Sequence, residues 1–240
     1  MRLHCFAFVA VAALCTTAFG NDLLTFTQVQ NEDVEAKSKS RGQAAPEVSP
    51  VGQTVPTRLP IVVGPQTRVE LANAHYIARV GGGSAFSLSP TGILEFEKGA
   101  VLLAAKVKNQ EVELATAKSK FTVRLDGCLM METTSNGGCK LIGLSGRNTI
   151  TLEGGGKTTL APGKLLFVLP EKSDFGPVVH ISLPMLLSTS KLVNGFSQSL
   201  ERIKDLRHAS FAQNYRIRGR SKALVGDTIS DTNYQVIFLK

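Results

Sequence analysis

The sequence predicts an all-β fold: an antiparallel β-sandwich or jelly-roll-like domain with a short C-terminal helical segment. Three observations carry that prediction. From Leu59 onward apolar residues recur at every second position, as in Phe86 and Leu88, Leu94 and Phe96, Val101 and Leu103, Val112 and Leu114, Phe121, Val123 and Leu125, and Ile150 and Leu152. Such alternation turns one side of each strand toward a core and the other toward water. Turn residues fall between these runs at close spacing: Gly81-Gly82-Gly83, Pro90-Thr91-Gly92, Lys108-Asn109, Ser135-Asn136-Gly137-Gly138, Gly154-Gly155-Gly156 and Pro162-Gly163. That rhythm belongs to sandwiches and barrels. No helical pattern separates the strands, which argues against a parallel βαβ winding.

The chain opens with an expected export signal over residues 1–20. Arg2 supplies the positive start, Cys5 to Ala13 is an almost unbroken apolar run, and Ala18-Phe19-Gly20 puts small residues at −3 and −1 of a cleavage site before Asn21. A membrane-spanning helix needs about 20 apolar residues, and this run is shorter and interrupted by Thr16 and Thr17. Cys15 invites a lipoprotein reading, which Leu14 opposes because it stands where a small residue is needed. No later segment is long and apolar enough to span a membrane, so the mature protein is expected to be periplasmic or secreted. Losing Arg2 with the leader lowers the formal charge of +8 by one.

Residues 21–58 are expected to form a disordered linker. Lys, Glu, Ser, Gln and Pro dominate the stretch from about Gln30 to Arg58, and Pro46, Pro50 and Pro56 punctuate it without an apolar period. The small cluster Leu23, Leu24 and Phe26 is expected to be loose. Residues 59–170 form the β-domain, and residues 171–240 a helix and strand extension. In that extension Ser182 can cap a helix carrying Pro184 in its first turn. Leu186, Val193, Phe196, Leu200 and Ile203 mark one apolar face, and Gly195 suggests two short helices rather than one. Final strands are expected at Tyr215 to Arg220 and Tyr234 to Leu239.

Most motifs with chemical overtones read as structure. Glu95 and Glu97 flank Phe96, so both carboxylates share one strand face about 6–7 Å apart. Glycosidase acid pairs have such separations but come from elements facing a cleft. Glu95 and Glu97, like Glu111 and Glu113, therefore read as a solvated face. Glu153-Gly154-Gly155-Gly156-Lys157-Thr158 lacks the first glycine of a phosphate loop, Thr151 standing in its place, and precedes a strand rather than a helix. Gly143-Leu144-Ser145-Gly146 lacks the spacing of a nucleophile elbow. His75, His180 and His208 are isolated, which gives no support to a zinc site. No catalytic residue, metal or cofactor is assigned.

Two features remain as candidates. Cys128 and Cys139 form a candidate disulfide, which an oxidising compartment favours. A hairpin symmetric about Ser135–Gly138 opposes it, because Cys139 would pair near Thr133 or Thr134 and leave Cys128 further down the strand. The bond then needs a bulge at Gly127 or a different pairing. Arg216, Arg218, Arg220 and Lys222 alternate with Ile217 and Gly219, a candidate anion-binding stripe if the segment is a strand, and Arg202, Lys204 and Arg207 add charge upstream. A charged edge strand that resists aggregation is the plainer account. Export, and the lack of aromatic residues among these charges beyond Tyr215, argue against nucleic acid as the partner.

Several segments, in this order, resemble the FecR-type domain. They are Gly99-Ala100-Val101 after an apolar strand, Glu111-Val112-Glu113-Leu114-Ala115-Thr116, Asp126-Gly127, Leu144-Ser145-Gly146, and Leu160-Ala161-Pro162-Gly163-Lys164. The resemblance spans Ile61 to Pro170. It implies a compact extracytoplasmic β-sandwich of the kind used in envelope signalling, whose best-known members relay a signal from an outer-membrane receptor to a sigma factor. Here an export signal stands where those regulators carry a cytoplasmic domain and a membrane anchor, and no binding residue carries over. The expectation is a non-catalytic exported FecR-like protein that binds an envelope protein or an acidic polymer. The alternative is an envelope-associated carbohydrate-active enzyme.

Overall fold

The computed structural model describes residues 23–30, 34–36, 51–170, 174–216, 221–223 and 236–238. In chain order the strands begin with β1 (Thr25–Gln30), β2 (Val34–Ala36), β3 (Ile61–Val63), β4 (Arg68–Ala72), β5 (Tyr76–Val80) and β6 (Ala85–Leu88). They continue with β7 (Leu94–Lys98), β8 (Ala100–Ala105), β9 (Gln110–Thr116), β10 (Lys120–Leu125), β11 (Cys128–Thr133) and β12 (Cys139–Ser145). Then come β13 (Asn148–Leu152), β14 (Lys157–Leu160), β15 (Lys164–Val168) and β16 (Val179–His180). Three helices follow, α1 (Leu183–Thr189), α2 (Lys191–Asn194) and α3 (Ile203–Arg216), and a small pair β17 (Ser221–Ala223) and β18 (Val236–Phe238).

The strands form two eight-stranded sheets, ordered β1-β4-β5-β8-β11-β12-β15-β16 and β14-β13-β10-β9-β7-β6-β3-β2. We call them the first and second sheet. Their inner faces share one core containing Phe26, Ile61, Phe86, Phe96, Leu103, Leu114, Phe121 and Leu141. Phe86 and Phe96 are directly paired across β6 and β7, their rings stacked with centroids 5.5 Å apart. Among the described residues every strand pair is antiparallel except β7 with β9. That exception follows from the path: β8 crosses to the first sheet between them, so β9 returns in the direction of β7.

Hairpins stay within a sheet, whereas most passages between sheets turn on glycine. The Gly154–Gly156 turn joins β13 and β14 as a hairpin, as the sequence predicts. Gly99 is instead a corner between sheets. Its φ is +110°, and a Cβ there would run into Ser84, with that residue's Cα 2.5 Å away, so only glycine fits. Gly127 forms a second corner, where a Cβ would strike the carbonyl oxygen of Ser145.

The sheets differ in what covers them. The second sheet keeps a solvent face, and β7, β9, β10 and β13 alternate between buried and less buried residues. The first sheet is covered twice, and β4, β5, β8 and β12 are buried throughout. Its outer face presents Ala72, Ile77, Leu102, Ala104, Met130, Ile142, Leu144 and Leu165 to Ile181, Leu183, Leu186, Leu192 and Leu206 of the helical extension. β8 is the continuous apolar strand that double coverage favours, whereas β4, β5 and β12 bury the charged residues Arg68, Glu70, Arg79 and Lys140 as well.

Four expectations are corrected. Part of the residue 21–58 linker belongs to the sandwich. β1 pairs with β4, residues 52–55 run along its other side, and Leu24, Phe26 and Val55 are fully buried. Ser182 stands at the N-cap of α1, yet its hydroxyl makes no capping bond. The Leu183 N–H donates to Oε1 of Gln213 instead, at 2.8 Å. Tyr215 and Arg216 close helix α3 rather than opening a strand, and the first strand of the final pair is Ser221–Ala223. The fourth correction is the disulfide, described next.

Candidate functional site

Cys128 and Cys139 are free and buried. The hairpin is close to the symmetric one, with Cys139 opposite Thr133 and Cys128 opposite Ser145 after a bulge at Cys128/Leu129. The two cysteines thus sit at opposite ends of the ladder. They also face opposite sides of the sheet, Cys139 in the inter-sheet core and Cys128 under the helices. No disulfide can join them. Burial pushes the Cys128 thiol up to about 11 and raises that of Cys139 as well, so neither is a ready thiolate nucleophile.

The carboxylates of the second sheet stand on its solvent face. Glu95, Glu97, Glu111 and Glu113 are exposed on neighbouring strands β7 and β9, with Arg124 directly opposite Glu111. They face water from one sheet rather than each other across a cleft. His75, His180 and His208 lie on separate elements, and no group of three metal-ligating side chains occurs among the described residues.

Asp126-Gly127 and Ser145-Gly146 meet at a buried polar corner. Asn148 is fully buried, its Oδ1 accepting from the N–H groups of Asp126 and Gly127 at 3.1 and 3.3 Å. Its Nδ2 donates to the carbonyls of Cys128 and Ser145, each at 3.1 Å, and the Cys128 N–H donates to Ser145 Oγ at 3.0 Å. Pro162-Gly163 serves the helices. A Cβ on Gly163 would collide with Gln213, whose Nε2 donates to the Ile181 carbonyl at 2.7 Å.

The basic stripe is only partly within view. Arg216 ends α3 and Lys222 lies in β17, while Arg218 and Arg220 fall outside the described residues. Upstream, Arg202 donates to the Ala105 carbonyl at 2.9 Å and pairs with Asp205 at 2.8 Å, whereas Lys204 and Arg207 are exposed.

Three features escape the sequence. Arg79, Glu70 and Gln28 occupy neighbouring register positions on β5, β4 and β1, all buried. Glu70 accepts from Arg79 Nε at 2.7 Å and from Thr27 and Gln28 at 2.8 Å each. The other guanidinium nitrogens donate to the carbonyls of Leu192, Val193 and Gln198, and Phe196 covers the group at 4.3 Å. Burial pulls the Arg79 pKa below its ordinary value while Glu70 opposes that shift. A second ion pair, Glu132 with Lys140 at 3.5 Å, joins directly opposed residues of β11 and β12. Finally, a groove of about 360 Å³ runs between α1, α2 and α3.

Lys140 makes a prediction. Burial lowers its pKa from 10.5 to about 8, with Glu132 working against that shift. Between those pH values the unfolded chain holds the proton that the folded chain has lost, so this lysine's contribution to stability rises with pH across the window. The expected slope is up to about 1.4 kcal/mol per pH unit. Urea unfolding from pH 7 to 10 should show this rise in wild type relative to a Glu132→Leu/Lys140→Met variant; parallel curves would refute it.

Fold and site together define an all-β, two-sheet sandwich with a helical layer locked over one sheet. No protein-family model and no curated protein matches this chain. Among solved structures it is similar to that of a putative anti-sigma factor from Parabacteroides distasonis, with 9% identity, 75% of this chain and 98% of that chain covered, and a TM-score of 0.39. A likeness that distant carries no argument about fold or function.

Proposed function

We propose that the chain is a non-catalytic, exported FecR-like protein that binds an oppositely charged partner in the bacterial envelope or outside the cell. The observation that carries the reading is the arrangement of the carboxylates: those of the second sheet are spread over one solvent face, while the core between the sheets is filled with side chains. The order of FecR-like segments over Ile61 to Pro170 and the leader-like first twenty residues support the rest. The carbohydrate-active alternative needs an acid pair facing across a cleft, and no observation favours it.

The contact surface in this reading is the basic C-terminal segment. Protein recovered from the exported fraction, its first residue read by N-terminal sequencing, would be titrated with a soluble polyanion such as dextran sulfate over a range of salt. The expected start is Asn21, with binding that weakens as salt rises. An Arg216→Ser/Arg218→Ser/Arg220→Ser variant should bind about tenfold more weakly, taking each of the three charge contacts at about half a kcal/mol. An intact Met1 would overturn export, and equal binding by the variant would remove the stripe as the site.

A further inference from the structure

The outermost layer of the molecule is helical, and its exposed crest combines charge with an aromatic ring. Lys204, Arg207, His208 and Phe211 lie three, four and seven residues along α3, which puts them on one helix face. All four are exposed, and Phe211 leaves 63% of its surface to solvent. Arg202 is committed to Asp205, but Lys204 and Arg207 form no ion pair among the described residues. Beside this crest runs the groove of about 360 Å³, where Leu187, Val193 and Ile203 alternate with Ser188, Asn194 and Ser210, and Arg207 and Phe211 stand along it. Cations and an exposed aromatic residue thus flank a groove of mixed polarity on a single face.

We propose that this face docks on an anionic phospholipid bilayer. Lys204 and Arg207 meet lipid phosphates, and Phe211 enters the boundary between headgroups and acyl chains. A soluble polyanion would satisfy the cations alone and leave Phe211 in water, whereas a bilayer offers negative charge and apolar depth together. Each Lys or Arg near an anionic surface strengthens partitioning by about fivefold, and Arg216, Arg218, Arg220 and Lys222 continue the same sign along the chain. The inference rests on reading the chain as an exported binding protein.

The test uses protein from the exported fraction, sedimented with phosphatidylcholine vesicles with and without phosphatidylglycerol, at low and high salt. Binding is expected only with phosphatidylglycerol and should fall with salt. Phe211→Ala should weaken it about tenfold, and Lys204→Ser/Arg207→Ser about thirtyfold. Thermal unfolding of Lys204→Ser/Arg207→Ser should match wild type, since both side chains are exposed, and Phe211→Ala is assayed well below its own unfolding transition. On dextran sulfate, Phe211→Ala should bind like wild type. Equal partitioning onto both kinds of vesicle, or a Phe211→Ala variant that sediments like wild type, overturns the proposal. Wild type that binds dextran sulfate but neither vesicle overturns it while leaving the binding function intact; binding to none of them removes both.

Discussion

Arg79→Met is expected to destabilise the fold by about 3–5 kcal/mol, the usual cost of removing one partner from a buried ion pair. The arginine is fully buried, and each part of its guanidinium is used: Nε on Glu70, the two terminal nitrogens on three carbonyls, and the flat face against Phe196. The carbonyls belong to α2 and the connection leading to α3, so this one side chain fastens the start of that connection to the sheet. Its loss strands the Glu70 carboxylate and leaves three acceptors without their donor. Urea unfolding measures the drop, and limited proteolysis should show new cleavage between Asn194 and Arg202. Arg79→Lys keeps the charge but not the planar fork and should recover only part of the loss. Glu70→Leu/Arg79→Met should be more stable than Arg79→Met alone, because it leaves no buried charge behind. A single variant that unfolds with wild type would show that the helical layer is held by its apolar contacts.

The same cluster explains how unevenly the fold could be read from sequence. Strands of the second sheet announce themselves, because water on one face preserves the alternation of Leu94 and Phe96 or Val112 and Leu114. Doubly covered strands lose that signature. Ala100–Ala105 and the Cys128–Glu132 part of β11 are buried at every position, and the one mark of the second layer they serve is an apolar run without alternation, Ala100–Ala105 and Cys128–Met131. Glu70 and Arg79 look like surface charges until the Asn73–His75 turn brings them into register, so opposite charges at matching distances from a turn were the one available signal. Leu24 and Phe26 form too short an alternation to stand out beside a polar linker. Helix α3 is hard to read from the sequence because it buries only Leu206 and Gln213 among the side chains described, too few for an apolar stripe, and the arginines beyond it alternate like a strand. The glycines at Gly99 and Gly127 are legible as breaks between strands, but their role is not: they answer to close backbone approach, which only the folded chain reveals.

Asn148→Leu is expected to cost about 4 kcal/mol, since it unpairs the buried Gly127 N–H, the partly buried Asp126 N–H and two buried carbonyls at about 1–3 kcal/mol for each buried group. Leucine keeps asparagine's branched outline but has bulkier methyl groups, so overpacking of this fully buried site adds to the loss of hydrogen bonds. Asn148 suits the site because its amide supplies both halves of what the corner lacks. Where β10 crosses to β11, the N–H groups of Asp126 and Gly127 point away from either ladder and toward Oδ1. The same amide returns two donors to Cys128 and Ser145 on the strands of the opposite sheet. Asn148→Asp separates these halves: the acceptor survives, but a carboxylate oxygen would face the two carbonyls. It should therefore destabilise at neutral pH and recover as its own carboxyl is protonated, its stability rising as pH falls toward 4 relative to wild type. Asn148→Leu has no such titration. Chemical unfolding of both variants at pH 4 and pH 7 measures the contrast, and an Asn148→Asp variant with no gain at low pH would mean that the corner accepts water in place of the missing donor.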